Sequence, residues 1–317
     1  MLFAFCICIM KKKFTLESEY DGLGISVMTV APDGVSPHAV LELSHGMRGC
    51  KERFLPFMEY MAGQGIACVA WDHRGHGASV RSVKDLGYMY DGGYQALVED
   101  VRLVTDWIHD SYPGLPVFLL GHSMGSMAVR VFVKKHDPDL AGLILCGSPG
   151  WKPAAPFARM LSRMMCLVSG GRYRPLLIPM FQSALYNRRF SHEGPQAWTC
   201  SDPLSRKAFA ENPLCSFRFT ANANLALLNL MLETHSESGW HSTHSAMPVY
   251  FISGEDDPCM AGESRLHESA LKMCRAGYTD VTSAIFPAMR HEVLNETAKE
   301  TVWNDIRLHI ESWLGHD

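Results

Sequence analysis

Nothing in the 317 residues is apolar for long enough to cross a membrane: the best stretch, Met1 to Met10, runs for ten residues, where a span needs about 20. Its positive charge, Lys11-Lys12-Lys13, comes after the apolar stretch, the reverse of a secretory signal. Residues 1–13 are therefore expected to lie outside the fold, as an extension upstream of a start at Met10, with a weak, transient membrane-surface anchor as the lesser alternative. No run of like charge exceeds three residues, and 29 basic against 33 acidic residues leave a formal charge of −4. That removes the electrostatic footprint of nucleic-acid binding. No Cys-x-x-Cys pair occurs, Cys6-Ile7-Cys8 being the nearest approach. A thiolate zinc site thus has no visible ligand set, and no metal or cofactor is expected. Ten cysteines remain, of which Cys68, Cys146 and Cys274 sit inside apolar or amphipathic segments. They are expected as buried thiols in a reducing cytoplasm. Internal repeats and low-complexity tracts are absent too, so a repeat array or scaffold has nothing to recommend it.

What is present is an alternation of short β-rich runs with amphipathic stretches. The runs are 39–43, 67–71, 117–120, 143–146, 249–252 and 281–286. Near-continuous apolar strands alternating with helices imply a buried, mostly parallel sheet flanked by helices. Between Tyr94 and Ser111, Leu97, Val101, Val104, Trp107 and Ile108 recur at helical spacing and stop before Pro113-Gly114. The rhythm breaks at residues 150–245, where Met, Pro, Arg and aromatics accumulate without a clear buried strand. So long an excursion must carry its own structure. A helical cap inserted into a core of residues 14–149 and 246–317 is expected, with helices near Phe157 to Val168 and Ala221 to Glu233. The methionines of the first helix fill a core or line an acyl tunnel.

Gly121-His122-Ser123-Met124-Gly125 is a Gly-x-Ser-x-Gly match, which alone arises by chance in roughly one such chain in ten at average composition. Its context is more specific. It follows the apolar run ending at Leu120 and precedes a credible helix from Ser126, and a strand, sharp turn and helix hold a nucleophilic serine above a sheet edge. A serine hydroxyl needs a base and an orienting acid, and in this arrangement the chain order is Ser, acid, His. After the run 249–252 comes Ser253-Gly254-Glu255-Asp256-Asp257-Pro258; after 281–286 comes Pro287-Ala288-Met289-Arg290-His291-Glu292. Of 15 histidines, His291 is the one on the loop directly after the last strand. His45, His73, His76 and His122 are read as structural. Glu255, Asp256 and Asp257 are all within reach, and Asp257 is taken as the acid. Negative charge developing on a substrate oxygen would be met by the amides of Met124, directly after the serine, and of Met47, in the His45-Gly46-Met47 loop.

With these segments in place, the chain resembles the monoacylglycerol lipase and lysophospholipase branch of the α/β hydrolases, often described as serine aminopeptidase-like. The matching segments are Leu43-Ser44-His45-Gly46-Met47, Asp72-His73-Arg74-Gly75-His76-Gly77, the serine pentapeptide, Ser253 to Pro258, and Arg290 to Glu296. In that family the acid lies three residues after the glycine of the turn, which carries over to Asp257. Asn212 to Thr220 is similar to cap sequence of bacterial members. Met47 stands where relatives often carry a smaller residue.

The resemblance implies the α/β-hydrolase fold and acyl transfer through Ser123, His291 and Asp257, with a small, lipid-like acyl ester as substrate. A proline iminopeptidase-like aminopeptidase is the first rival and would need a cap acid, Glu193, Asp202, Glu211 or Glu233, to hold an amino terminus. Acyl transfer to an alcohol is the second. A catalytically silent binding protein on the same fold is the rival from outside enzymology.

Overall fold

All six expected runs form strands in one eight-stranded sheet. The computed structural model describes residues 8–315, and of 177–179, 181 and 182 the backbone alone. The strands are β1 (Ile9–Glu17), β2 (Gly24–Pro32), β3 (Ala39–Ser44), β4 (Ile66–Trp71), β5 (Val117–His122), β6 (Gly142–Cys146), β7 (Val249–Gly254) and β8 (Val281–Phe286). Their order in space is β1-β2-β4-β3-β5-β6-β7-β8. From β4 to β8 neighbours run parallel, while β2 joins β1 and β4 antiparallel. β3, β4, β6 and β7 are buried along their whole length, which is why they read as unbroken apolar runs.

Helices cover both faces. Val40, Leu119, Leu143 and Phe251 point into a cluster sealed by α2 (Gly93–Ser111), α3 (Met124–His136) and α8 (Glu263–Arg275). Leu41, Phe118, Ile144 and Tyr250, on the opposite face by strand alternation, meet α1 (Leu55–Gly63) and α9 (Lys299–Trp313).

The expected boundary at residue 13 is corrected by β1, which begins at Ile9 and pairs with β2 through Lys11, Lys12 and Lys13. The lysine run marks an edge strand, where charge discourages further pairing; Lys11 meets Glu59 and Lys13 meets Glu52. Residues 1–7 lie outside the described residues. Cys274 is likewise exposed, not buried, because it falls on the outer side of α8, whereas Cys68 and Cys146 lie inside the sheet; none of the described cysteines is paired.

Between β6 and β7 the chain forms α4 (Ala155–Ser169), α5 (Leu177–Asn187), α6 (Pro203–Glu211) and α7 (Ala221–His235), with no strand among the described residues. Thr220 caps α7 through the Ala223 amide, and Ala223, Ala226 and Leu230 of α7 join the cluster under α2 and α3. Further out, α4 turns Met160, Leu161, Met164 and Val168 to the surface. These side chains are neither core filler nor cavity lining.

Candidate active site

The five positions singled out in the sequence all lie at the carboxyl ends of parallel strands: Met47 after β3, Ser123 after β5, Asp257 after β7 and His291 after β8, with Met124 opening α3. This edge is where open α/β sheets place their sites.

Ser123 has φ 54° and ψ −116°, a conformation that side-chain-bearing residues rarely adopt. The turn is held by crowding. A Cβ at Gly121 would stand 2.7 Å from the Gly125 carbonyl oxygen, and one at Gly125 would stand 2.2 Å from that of Ser44. Only glycine lets α3 approach β3 and β5 so closely.

His291 Nε2 lies 2.8 Å from Ser123 Oγ, and His291 Nδ1 lies 3.0 Å from Asp257 Oδ2. A carboxylate can only accept, so Nδ1 carries a proton, and in the neutral imidazole Nε2 is left to accept from the serine hydroxyl. Asp257 is fixed in turn by Ser253 Oγ at 3.1 Å and the Cys259 amide at 2.8 Å. The neighbouring acids are engaged elsewhere. Asp256 pairs with Arg189 at 2.6 Å, and Glu255 accepts from the Ala288 amide at 3.2 Å.

Burial opposes charge on His291, but the Asp257 carboxylate and Cys259 outweigh it and hold the imidazole well above its usual value. Among the described residues, Asp257, Cys259 and His291 are the one group whose ligand atoms lie close enough, within 4.8 Å, to share a metal. Two of the three are already spent on each other and on Ser123.

Gly46 presses the His45-Gly46-Met47 loop against the serine: a Cβ there would stand 3.0 Å from Ser123 Cβ and 2.9 Å from His122 Nδ1. The Met124 amide belongs to the first turn of α3, whose N–H groups have no acceptor within the helix. The Met47 amide has no backbone acceptor among the described residues. Behind the loop, His45 Nε2 accepts from the His73 amide at 3.0 Å, so its Nδ1 donates to the Gly46 carbonyl at 2.8 Å. His73 Nε2 meets Ser44 Oγ at 2.9 Å. Asp72 takes the Lys51 amide at 2.8 Å, the Lys51 ammonium at 2.5 Å and the Ala78 amide at 2.8 Å. The Asp72-to-Gly77 segment is thus a buried brace. Burial pushes His45 and His122 down to about 4 and His76 to about 3, and these imidazoles pack as neutral rings.

A cavity of about 1030 Å³ begins at Met47, in the loop pressed against the serine, and Trp198, and continues past Leu86, Met180, Phe217 and Phe219. The Trp198 ring lies 5.2 Å from that of His291. Sequence reasoning missed Trp198, since nothing in its local pattern sets it apart from other aromatics of the insertion. Arg290 was named only for its place beside His291. Its guanidinium donates to the Ala197 carbonyl at 2.7 Å and stacks 3.9 Å over Phe190.

This strand order, with a serine elbow after β5, defines an α/β hydrolase. The chain belongs to the family described as serine aminopeptidase, S33, whose model matches residues 35–298. It is 23% identical over 306 residues to a monoacylglycerol lipase of Mycolicibacterium smegmatis, covering 94% of this chain and 98% of that protein. Against human monoglyceride lipase it is 33% identical over 110 residues, 35% of each chain, so this match spans about a third of that relative. Among solved structures it is similar to a thermostable carboxyl esterase from Bacillus coagulans in complex with glycerol, at TM-score 0.86 and 23% identity over 96% of this chain and 98% of that one. A soluble variant of the Saccharomyces cerevisiae monoglyceride lipase superposes at TM-score 0.70 and 16% identity, covering 97% and 96%.

Proposed function

We propose that the protein hydrolyses carboxylic esters of the acylglycerol or lysophospholipid kind through an acyl-enzyme on Ser123. The observation that carries this reading is the hydrogen-bonded chain Ser123–His291–Asp257, at 2.8 and 3.0 Å, next to the cavity that opens at Met47 and Trp198. His291 takes the serine proton as Oγ attacks the ester carbonyl, Asp257 steadies the resulting imidazolium, and the leaving alcohol collects the proton. Water, deprotonated by the same histidine, then releases the acid. The Met47 and Met124 amides receive the oxyanion, which develops where the Gly46 loop meets the elbow.

Residues 150–245 act as a cap over the cavity. The names of the relatives support the lipid-like substrate, and the exposed apolar row on α4 suits transient contact with a lipid surface. The aminopeptidase alternative finds little support in the acids it requires. Glu193 is taken by Arg290 and Arg206, Glu233 by Lys134, Glu211 by Lys207, and Asp202 caps α6.

The test is labelling by a fluorophosphonate together with hydrolysis of p-nitrophenyl butyrate. Wild type is expected to do both and Ser123→Ala neither; equal hydrolysis by the two proteins would overturn the proposal.

A further inference from the structure

The cavity wall carries charge of one sign only. Arg48, Lys84, Arg174 and Arg218 line it, and no carboxylate does so among the described residues. The protein as a whole is acidic, with 29 basic and 33 acidic residues, so this imbalance runs against the chain's composition. None of the four is in an ion pair among the described residues, although Asp85 favours the charge of Arg174 from a distance.

Arg174 ties together the backbone segments that carry two of the others. Arg174 donates to the backbone carbonyl of Arg218 and, at 2.9 Å, to that of Lys84. The nearest acid on that side, Asp85, is already bound to Arg172 at 2.7 Å and to the Tyr90 hydroxyl at 3.2 Å. Arg174 is half-buried, and burial together with the nearby Arg218 makes its charge harder to hold. The fourth cation, Arg48, follows Met47 directly. Its Nε is engaged by the Cys215 carbonyl at 3.0 Å.

The rest of the wall is uncharged, with Ser183, Asn187, Gln196, Ser216 and Asn224 among apolar and aromatic residues. Phe217 and Phe219, flanking Arg218 in sequence, stack at 6.3 Å and both abut His76 of the brace behind the serine loop. An amphiphile entering here meets the aromatic rings of Phe217 and Phe219 and a wall whose charged groups are all cationic.

We infer that the cavity selects an amphiphilic ester bearing a phosphate or carboxylate group, held by Lys84, Arg174 and Arg218, over neutral, zwitterionic or cationic esters of the same chain length. This rests on Ser123 being an ester-cleaving nucleophile and goes beyond it by specifying the charge of the substrate. Guanidinium groups suit the purpose because they present paired donors to an oxyanion. A trimethylammonium headgroup or a free amino terminus would meet like charge instead.

Four esters of one acyl length separate the possibilities: a 1-acylglycerol, its 3-phosphate, the corresponding lysophosphatidylcholine, and a p-nitrophenyl monoester of a dicarboxylic acid. The phosphate arm places the anion on the alcohol side, and the dicarboxylate arm places it on the acyl side. At least one of these two is expected to exceed the 1-acylglycerol in kcat/KM by about tenfold and to lose that advantage in high salt. In Lys84→Gln/Arg218→Gln the ratio of anionic to neutral kcat/KM should fall towards one. A wild-type ratio at or below one, with the neutral ester well hydrolysed, would overturn the inference and leave the esterase intact.

Binding to Ser123→Ala separates the two claims further, since it needs no turnover. Octyl phosphate should bind about tenfold tighter than octyl glycerol ether, and equal affinities would again overturn the inference. If octyl phosphate were preferred but none of the four esters were cleaved by wild type, the proposed chemistry would fail and not the cation site.

Discussion

Arg290 and Glu193 form a two-pronged ion pair, Nη1 to Oε2 at 2.9 Å and Nη2 to Oε1 at 2.5 Å, joining the residue before His291 to the insertion. The next residues are fastened the same way: the Glu292 amide donates to the Thr199 carbonyl at 2.7 Å, and Glu296 accepts from both the Arg290 and Ser201 amides. The loop carrying the proposed base is therefore held by the insertion as much as by the sheet. Glu193→Gln should lower kcat by about 10- to 100-fold, the scale of a small misplacement of a reacting group, with KM little altered. Steady-state kinetics beside a melting curve checks this, since a purely structural role would move the melting point and leave kcat alone.

Asp257→Asn keeps the size of the acid but removes its charge and the preference for the Nδ1 tautomer. Its kcat is expected to fall on the order of 10⁴-fold. Asp256→Asn, whose carboxylate pairs with the exposed Arg189, should stay within about threefold of wild type. Comparing the two by p-nitrophenyl ester hydrolysis discriminates between these two adjacent acids.

His291 is held above the usual histidine value by Asp257 and Cys259, against the opposing effect of burial. Its neutral form is the proposed base, so the acid limb of the kcat/KM profile should lie above about 6.5. For stability the sign is opposite: the contribution of a raised histidine is complete below about 6.5 and is lost as pH climbs through the folded value. A pH–rate profile with its limb at or below 6.5 would contradict the assignment.

The brace histidines titrate the other way. Burial pushes His45 and His122 to about 4 and His76 to about 3, so between about 6.5 and 4 the unfolded chain binds protons that the native state refuses. Stability is fully present above about 6.5 and should drain away as pH falls towards 4. Denaturant melts at graded pH would show it, and His76→Phe should shallow the decline.

Glu42, buried in the middle of β3, is pushed up to about 8 by burial, against the hydrogen bond from Thr105 Oγ1 at 2.8 Å. The unfolded carboxyl ionises near 4.3, so native stability is fully present below that and declines as pH rises towards 8. Glu42→Gln removes the proton linkage. Its melting point should exceed that of wild type at pH 8, with the difference vanishing near pH 4.

The parallel core was legible because strands buried on both faces leave unbroken apolar runs. β1 was not: Lys11, Lys12 and Lys13 obscure it, and its partner is chosen by the sheet edge. Ser123 and His291 could be named from their places after β5 and β8, since topology brings those strand ends together, whereas Asp257 was chosen among three adjacent acids with support from the resemblance. Arg290, Glu193 and Trp198 could not be ranked that way. Their contacts cross 90 residues or more, between core and insertion, and leave no local period. The α4 pattern predicted a helix correctly but not the direction its apolar face takes, because periodicity does not say whether water, lipid or protein lies opposite.

The backbone of Ser123, at φ 54° and ψ −116°, holds strain of about 1–3 kcal/mol for a residue with a Cβ. Glycine would relax there. Ser123→Gly should therefore melt later than wild type while losing the proposed nucleophile, an inversion of the usual link between a damaged site and a fragile fold. Variants of this enzyme chosen for heat resistance alone, without a turnover assay, would drift towards inert proteins.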